Sequence, residues 1–379
     1  MLLVDKKTIK NKVAEQKRHW VRINRACNNN CLFCLDRENQ NGSIFEIKEV
    51  VADLEVGLEK GAKRVIISGG DPTVHPRLAA IIKKAKALGY EHVQIITNGR
   101  MLAYEKFAAE LKQAGLDEVT LSLHSHIEKD FEKLTGVSGS YKQALSGLLN
   151  AQKQGFIVSV DIVINKINYK KLKETLQFYI KLGVSEFDLL YPVPFGSAWE
   201  NRDELFFDPE KAQKYLQEAF ALSKNKNLFI WTNRMPAQFL EGSEDLIQNP
   251  VKLHDEVRGM LPELMAHVKN GRQMGCKGER CQHCFMQGFC KDLDELLKNK
   301  KLPGKKNPLC VNAKETKEKS LEFKFNSKFT LEKFTDFYIK NRYFVKSLRC
   351  AKCKYENICD GAWIEDVRRY GFRFLNVRK

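Results

Sequence analysis

The chain has 379 residues, a formal charge of +17 and 43% hydrophobic residues, enough to bury the core of one large α/β domain and a smaller companion. No apolar run approaches the ~18 residues of a membrane span, and Met1-Leu2-Leu3-Val4-Asp5-Lys6-Lys7 turns charged too soon for a signal peptide, so a cytoplasmic chain without a membrane partner is expected. Eleven cysteines there read as metal ligands rather than disulfides, and the basic balance fits an acidic protein or peptide as well as nucleic acid or a plainly lysine-solvated surface.

Residues 1–19 are basic, weakly periodic and read as an N-terminal arm, too short for a fused recognition domain. A strand at Val21–Asn24 leads into Cys27-Asn28-Asn29-Asn30-Cys31-Leu32-Phe33-Cys34. Three thiolates in a CxxxCxxC loop can hold three irons of a cubane and leave the fourth open for chemistry. A zinc site or inert buried thiols is the plainer alternative.

A repeating pattern follows. Helical stretches end at Gly61, Gly89, Gly115, Gly155 and Gly183, where a left-handed cap is wanted, and each is followed by a short strand: Arg64–Ile67, Val93–Ile96, Val119–Leu123, Ile157–Val163 and Phe187–Leu190. Between them, apolar residues recur at helical spacing, as in Ile47, Val50, Val51, Leu54 and Leu58. With the first strand this makes six parallel βα units, either an open partial barrel or a doubly wound sheet. In both, ligands sit at the carboxyl ends of the strands.

Those ends carry Ser68-Gly69-Gly70-Asp71-Pro72, Thr97-Asn98-Gly99, Ser122-Leu123-His124-Ser125, Asn165-Lys166 and Tyr191-Pro192-Val193-Pro194-Phe195-Gly196. Two adjacent glycines let main chain approach a ligand closely. Asn98, Ser122, His124 and Asn165 can bind a polar ligand or merely cap their loops, and the segment around Val193 is apolar enough to wall a ring pocket.

The cysteine spacing, the aromatic Phe33 ahead of the third cysteine and the Gly-Gly-Asp-Pro element together resemble the signature of the radical S-adenosylmethionine (SAM) superfamily. The resemblance implies a partial (β/α)6 TIM-like barrel and a [4Fe–4S] cluster on Cys27, Cys31 and Cys34 whose open iron chelates the amino and carboxylate groups of SAM. Reductive cleavage of SAM then gives a 5′-deoxyadenosyl radical that abstracts a substrate hydrogen. It further implies that Phe33 packs near adenine and that the main chain of Gly69, Gly70, Asp71 and Pro72 meets the SAM amino group, Asp71 standing where glutamate is usual. Asn98, Ser122, His124 and Asn165 would reach the ribose, the carboxylate or the substrate, and Val193 the adenine. An acidic electron donor such as flavodoxin or ferredoxin suits the basic chain.

Residues 197–275 hold a strand-like Leu228-Phe229-Ile230-Trp231 and helical sequence from Leu253 to Val268, without a catalytic motif. Then Cys281-x2-Cys284-x5-Cys290 recurs 69 residues on as Cys350-x2-Cys353-x5-Cys359, with Cys276 and Cys310 upstream of each. Two four-thiolate sites follow, zinc or Fe–S, and spacing leaves open whether they are sequential or interleaved. The unit resembles the SPASM and twitch extensions, which implies two auxiliary [4Fe–4S] clusters in a small cysteine-rich C-terminal domain. The expected organisation is an arm over 1–19, a barrel over 20–235, a helical bridge over 236–275 and a cluster domain over 276–379. Such auxiliary domains are associated with peptide and protein modification, so a peptide or protein is the first substrate class and a small metabolite the second. The reading from another class, a non-catalytic zinc- and RNA-binding protein, lacks base-stacking motifs and gives the Gly-Gly-Asp-Pro loop no task.

Overall fold

The computed structural model describes residues 17–305, 308, 310, 321–376 and 378; the arm up to residue 16 lies outside them. The chain divides into two compact units, residues 1–206 with 222–230, and residues 207–221 with 231–379.

In the first unit, β1 (Arg18–Arg22), β2 (Arg64–Ser68), β3 (His92–Thr97), β4 (Glu118–Ser122), β5 (Ile157–Val163) and β6 (Glu186–Leu190) lie side by side in chain order, all parallel. This is the partial barrel that the family resemblance implies, where the strand and helix pattern alone left a doubly wound sheet open. A seventh strand, β7 (Phe229–Asn233), extends the sheet beyond the expected six, with the Phe229 N–H bonded to Ser185 O at 2.7 Å. In sequence that stretch is only strand-like, because no helix capped by glycine leads directly into it. The five capping glycines do adopt positive φ, from 68° to 110°.

Alternation along the strands separates two faces. Val65, Ile67, Val93, Ile95, Val119, Leu121, Val160, Ile162, Phe187 and Leu189 are completely buried, matching the apolar stripes of helices such as Ile47–Glu59, Leu78–Leu88 and Leu172–Lys181. The other face is polar: Arg64 bonds Gln94 at 2.6 Å and Glu118 at 2.7 Å, Gln94 bonds Thr120 at 2.6 Å, and Thr120 meets Ser159 at 2.8 Å. A closed eight-strand barrel fills its interior with branched apolar side chains; this sheet instead lines its inner face with hydrogen-bonding groups.

Glu186 lies on that face, in register with Ser159. Burial and the charge of Glu118, eased by Arg64, push its carboxyl up to about 7 from 4.5. Between those values the folded chain keeps a proton that the unfolded chain has lost, so stability falls as pH rises through the window. Glu186→Gln should remove that loss, on the order of 3 kcal/mol. The check is the difference in urea midpoint between pH 5 and pH 8, which shrinks in the variant.

The second unit has its own core, in which Leu264, Phe289, Leu293, Leu296, Leu302 and Phe334 are fully buried. Leu253, Val257, Leu264 and Met274 belong to this core, so the stretch 236–275 read as a bridge packs as part of the C-terminal unit. Arg342 anchors the helix Gln287–Asn299 through Asp292 at 2.6 Å, with both side chains buried. Among the described residues, no helix is long and apolar enough to cross a membrane.

Candidate active site and cysteine centres

The loop Cys27–Cys34 follows β1 and is held by main-chain bonds from the end of β2, from the last turn of the helix Glu128–Thr135 and from the start of the helix Ser197–Glu200. Asp71 N–H bonds Ala26 O at 2.7 Å, Asn30 N–H bonds Thr135 O at 2.9 Å, Leu32 N–H bonds Leu134 O at 3.0 Å, and Ser197 N–H bonds Cys34 O at 2.9 Å. The approach is so close at two glycines that neither tolerates a side chain. A Cβ on Gly70 would stand 2.3 Å from Ala26 O, and one on Gly196, at φ +53°, would stand 2.4 Å from Cys34 O. In sequence the paired glycines read as clearance for a ligand; on their Cβ side, the clearance is for the cysteine loop and for Asn24, 2.2 Å from a Cβ on Gly69.

Asp71 is almost completely buried and ties the ends of β2 and β3 together. Its carboxylate accepts from Thr73 N–H at 2.8 Å, from the Thr73 hydroxyl, from the Thr97 hydroxyl at 2.8 Å and from Asn98 N–H at 2.8 Å. Those bonds commit the side chain, and Pro72 opens the following turn. Asn98 in turn donates to Asn28 Oδ1 at 2.6 Å and points its amide at Cys27 Sγ, 3.9 Å away.

Phe33 and His124 come together, ring edge to face at 4.5 Å. His124 is buried, accepts from Val163 N–H at Nδ1, and is held neutral by burial, its pKa pushed down to about 3. Ser122 is half-buried beside Asp161 of β5, and Val193 is half-buried with its carbonyl bonded to Phe195 N–H at 2.8 Å. Asn165 stands apart: its Nδ2 donates to Val163 O at 2.9 Å and its Oδ1 accepts from Ile167 N–H at 3.0 Å, so the amide closes its own turn.

Arg100 and Asn24 escaped the sequence reading. Arg100 donates to the carbonyl of Asn28 and to Asn29 Oδ1 at 3.0 Å, and is itself oriented by Gln143 at 2.6 Å. Asn24 bridges Asp71 O at 2.8 Å and Gly70 N–H at 3.0 Å. The only signal for either was its place beside a loop already singled out.

In the second unit, the sequence duplication is a duplication of backbone structure. Cys281 N–H bonds Gly278 O, Cys284 bonds Cys281, Gln287 bonds Cys284, and Cys290 bonds Met286, at 3.0, 3.1, 3.0 and 3.0 Å. The counterparts Cys350–Ser347, Cys353–Cys350, Glu356–Cys353 and Cys359–Tyr355 run at 2.9, 3.0, 2.9 and 2.9 Å. Cys276 neighbours the first triplet, with its carbonyl 3.8 Å from Cys281 Sγ. Cys310 lines one pocket with Cys350, Cys353 and Cys359. The two sets are therefore sequential rather than interleaved.

The sequence profile of the Radical SAM superfamily matches residues 21–179. That segment belongs to the radical SAM superfamily. A probable GTP 3',8-cyclase of Sulfurisphaera tokodaii is 34% identical over 203 residues, covering 52% of this chain and 63% of the relative. One of Saccharolobus solfataricus is 32% identical over 190 residues, covering 49% and 61%. The chain thus spans about three fifths of the length of the curated relatives it matches. Streptococcus suis SuiB bound to precursor peptide SuiA shares the fold at TM-score 0.50 and 15% identity, over 97% of this chain and 79% of that one.

A radical SAM domain works with SAM and a [4Fe–4S] cluster, and the residues present fit such a cluster. Burial and the Asp71 charge push the Cys27 thiol up to about 11, and burial with the neighbouring sulfurs raises Cys31 further, so these sulfurs ionise only against a bound cation. Asn29 N–H and the Gln40 amide already point at sulfur, 3.4 Å from Cys27 and 3.2 Å from Cys34, as suits anionic ligands. A tetrathiolate zinc site draws its sulfurs to about 2.3 Å from one point. Among the described residues, no three His, Cys, Asp or Glu side chains converge on one such point.

Proposed function

We propose that this radical SAM enzyme modifies a peptide or protein by hydrogen abstraction. Cys27, Cys31 and Cys34 hold the site-differentiated [4Fe–4S] cluster, and the two C-terminal four-cysteine sets hold auxiliary ones. The observation that carries the reading is the thiol loop pinned against the carboxyl ends of parallel strands beside Gly69-Gly70-Asp71-Pro72. When bound, the two cofactors supply radical chemistry, while the protein supplies position. Asn98 and Arg100 fix the cysteine loop, the main chain of residues 69–72 receives SAM, and Phe33 with the neutral His124 offers a dry wall for its adenine, alongside Val193 and the hydroxyl of Ser122.

The eight C-terminal cysteines support a peptide or protein substrate, through the SPASM and twitch likeness of their spacing. Identity with the GTP 3',8-cyclases favours a second reading, a small metabolite. The formal charge of +17 supports an acidic reductant of the flavodoxin or ferredoxin kind, and a cytoplasmic site of action accords with so many free thiols.

The test is 5′-deoxyadenosine release from SAM by anaerobically reconstituted protein with dithionite, in the presence of either the dialysed retentate or the small-molecule filtrate of the source cell's extract. The peptide reading expects the retentate to raise release by about tenfold or more, a loss of ~1.4 kcal/mol in barrier. Stimulation by the filtrate or by GTP alone would put the metabolite reading in its place.

A further inference from the structure

Cys34 differs in its surroundings from the other two thiols of the loop. Gln40 Nε2 lies 3.2 Å from Cys34 Sγ. The amide is turned that way because its Oε1 accepts from Arg37 Nη1 at 3.4 Å, while the Gln40 N–H bonds Arg37 O at 3.1 Å and closes the turn Arg37–Asn39. A reversed amide would set its oxygen against sulfur and its NH2 against a guanidinium. Nearby, Arg22 pairs with Asp36 at 2.5 Å. Cys27 has a weaker set, Asn29 N–H at 3.4 Å and Asn98 Nδ2 at 3.9 Å.

Hydrogen bonds to ligand sulfur stabilise the more negative, reduced form of an Fe–S centre and raise its potential. We propose that Gln40, aimed by Arg37, is a positioning residue that raises the reduction potential of the cluster held by Cys27, Cys31 and Cys34, acting through the Cys34 sulfur. The inference rests on the radical SAM reading of that loop. The couple concerned takes one electron from an external reductant, converting [4Fe–4S]2+ to [4Fe–4S]+.

The experiment is a dithionite titration of the reconstituted full chain in redox mediators, read by the paramagnetic resonance of [4Fe–4S]+. The signal followed is the one that changes when SAM is added, because only a cluster with an open iron responds. In Gln40→Leu the ratio of reduced to oxidised cluster at a fixed potential should fall about tenfold, equivalent to a shift of ~59 mV to more negative values. Gln40→Lys, which keeps an N–H donor at that reach, should stay at or above the unsubstituted ratio. Arg37→Ala, which frees the amide to turn, should move in the same direction as Gln40→Leu. An unshifted ratio in both Gln40→Leu and Arg37→Ala, at normal iron content, would overturn the assignment while leaving the radical SAM reading intact. Absence of any SAM-responsive signal in the unsubstituted chain would instead overturn that reading, and this inference with it.

Discussion

Replacing Cys27, Cys31 and Cys34 together with alanine should abolish 5′-deoxyadenosine release from SAM while leaving about eight of roughly twelve irons on the chain. Both halves of this result follow from where the thiols sit. The three share one loop, so their loss removes the centre with an open iron and no neighbouring cysteine stands in. The other eight belong to the second unit, where each CxxC turn is shaped by its own main-chain bonds, Cys284 to Cys281 and Cys353 to Cys350. Four thiolates saturate a cubane, which leaves those sites no iron for SAM. Metal analysis and cluster absorbance of the triple variant give the count, and chromatography of the SAM products gives the activity. Undiminished 5′-deoxyadenosine would sink the assignment of Cys27, Cys31 and Cys34. Two zinc ions in place of iron would make the C-terminal sets structural staples.

Much of the fold was legible because parallel strands and capped helices write short-range patterns. The glycines from Gly61 to Gly183 mark the helix ends, and the β-branched runs after them are five of the strands. The polar inner face has a trace in Val119-Thr120-Leu121-Ser122 and Val158-Ser159-Val160-Asp161, where alternate residues change character, but as β-branched runs these segments announce strands only. The strand Phe229–Asn233 was harder, since it stands outside that rhythm. The cysteine loop could be read from spacing alone, but its supports could not. Asn24, Arg100 and Gly196 reach it from positions near and far along the chain, and such contacts leave no periodic trace. Asn165, a polar residue at a strand end, has its amide bonded within its own turn, which sequence position alone does not announce. The grouping of the C-terminal cysteines depended on where Cys310 lies, which no spacing states.

Gly70→Val and Gly196→Val should each cost the chain about four irons along with SAM cleavage, a larger effect than a weakened ligand loop would give. A side chain at Gly70 meets Ala26 O at 2.3 Å, with Cys27 N at 3.1 Å. Its obstacle is the main chain that leads into the first ligand, which cannot swing aside as a side-chain tip can. Asp71 N–H holds Ala26 O and Asn24 holds Gly70 N–H, so both sides of the collision are tied and relief must come from moving Cys27. Gly196 combines the collision at Cys34 O with φ +53° and ψ −142°, a sparsely populated conformation that adds ~1–3 kcal/mol of backbone strain for a residue with a Cβ. Gly42→Ala separates these causes, because Gly42 has φ +79° but nothing within 4 Å of a Cβ. That variant should lose about as much stability to strain and still load its cluster. Iron content, thermal midpoint and SAM affinity of the three proteins together decide the matter. If Gly70→Val kept all its iron and lost only affinity for SAM, the glycine pair would face ligand alone, and the cysteine loop would be supported chiefly from Thr135, Leu134 and Ser197.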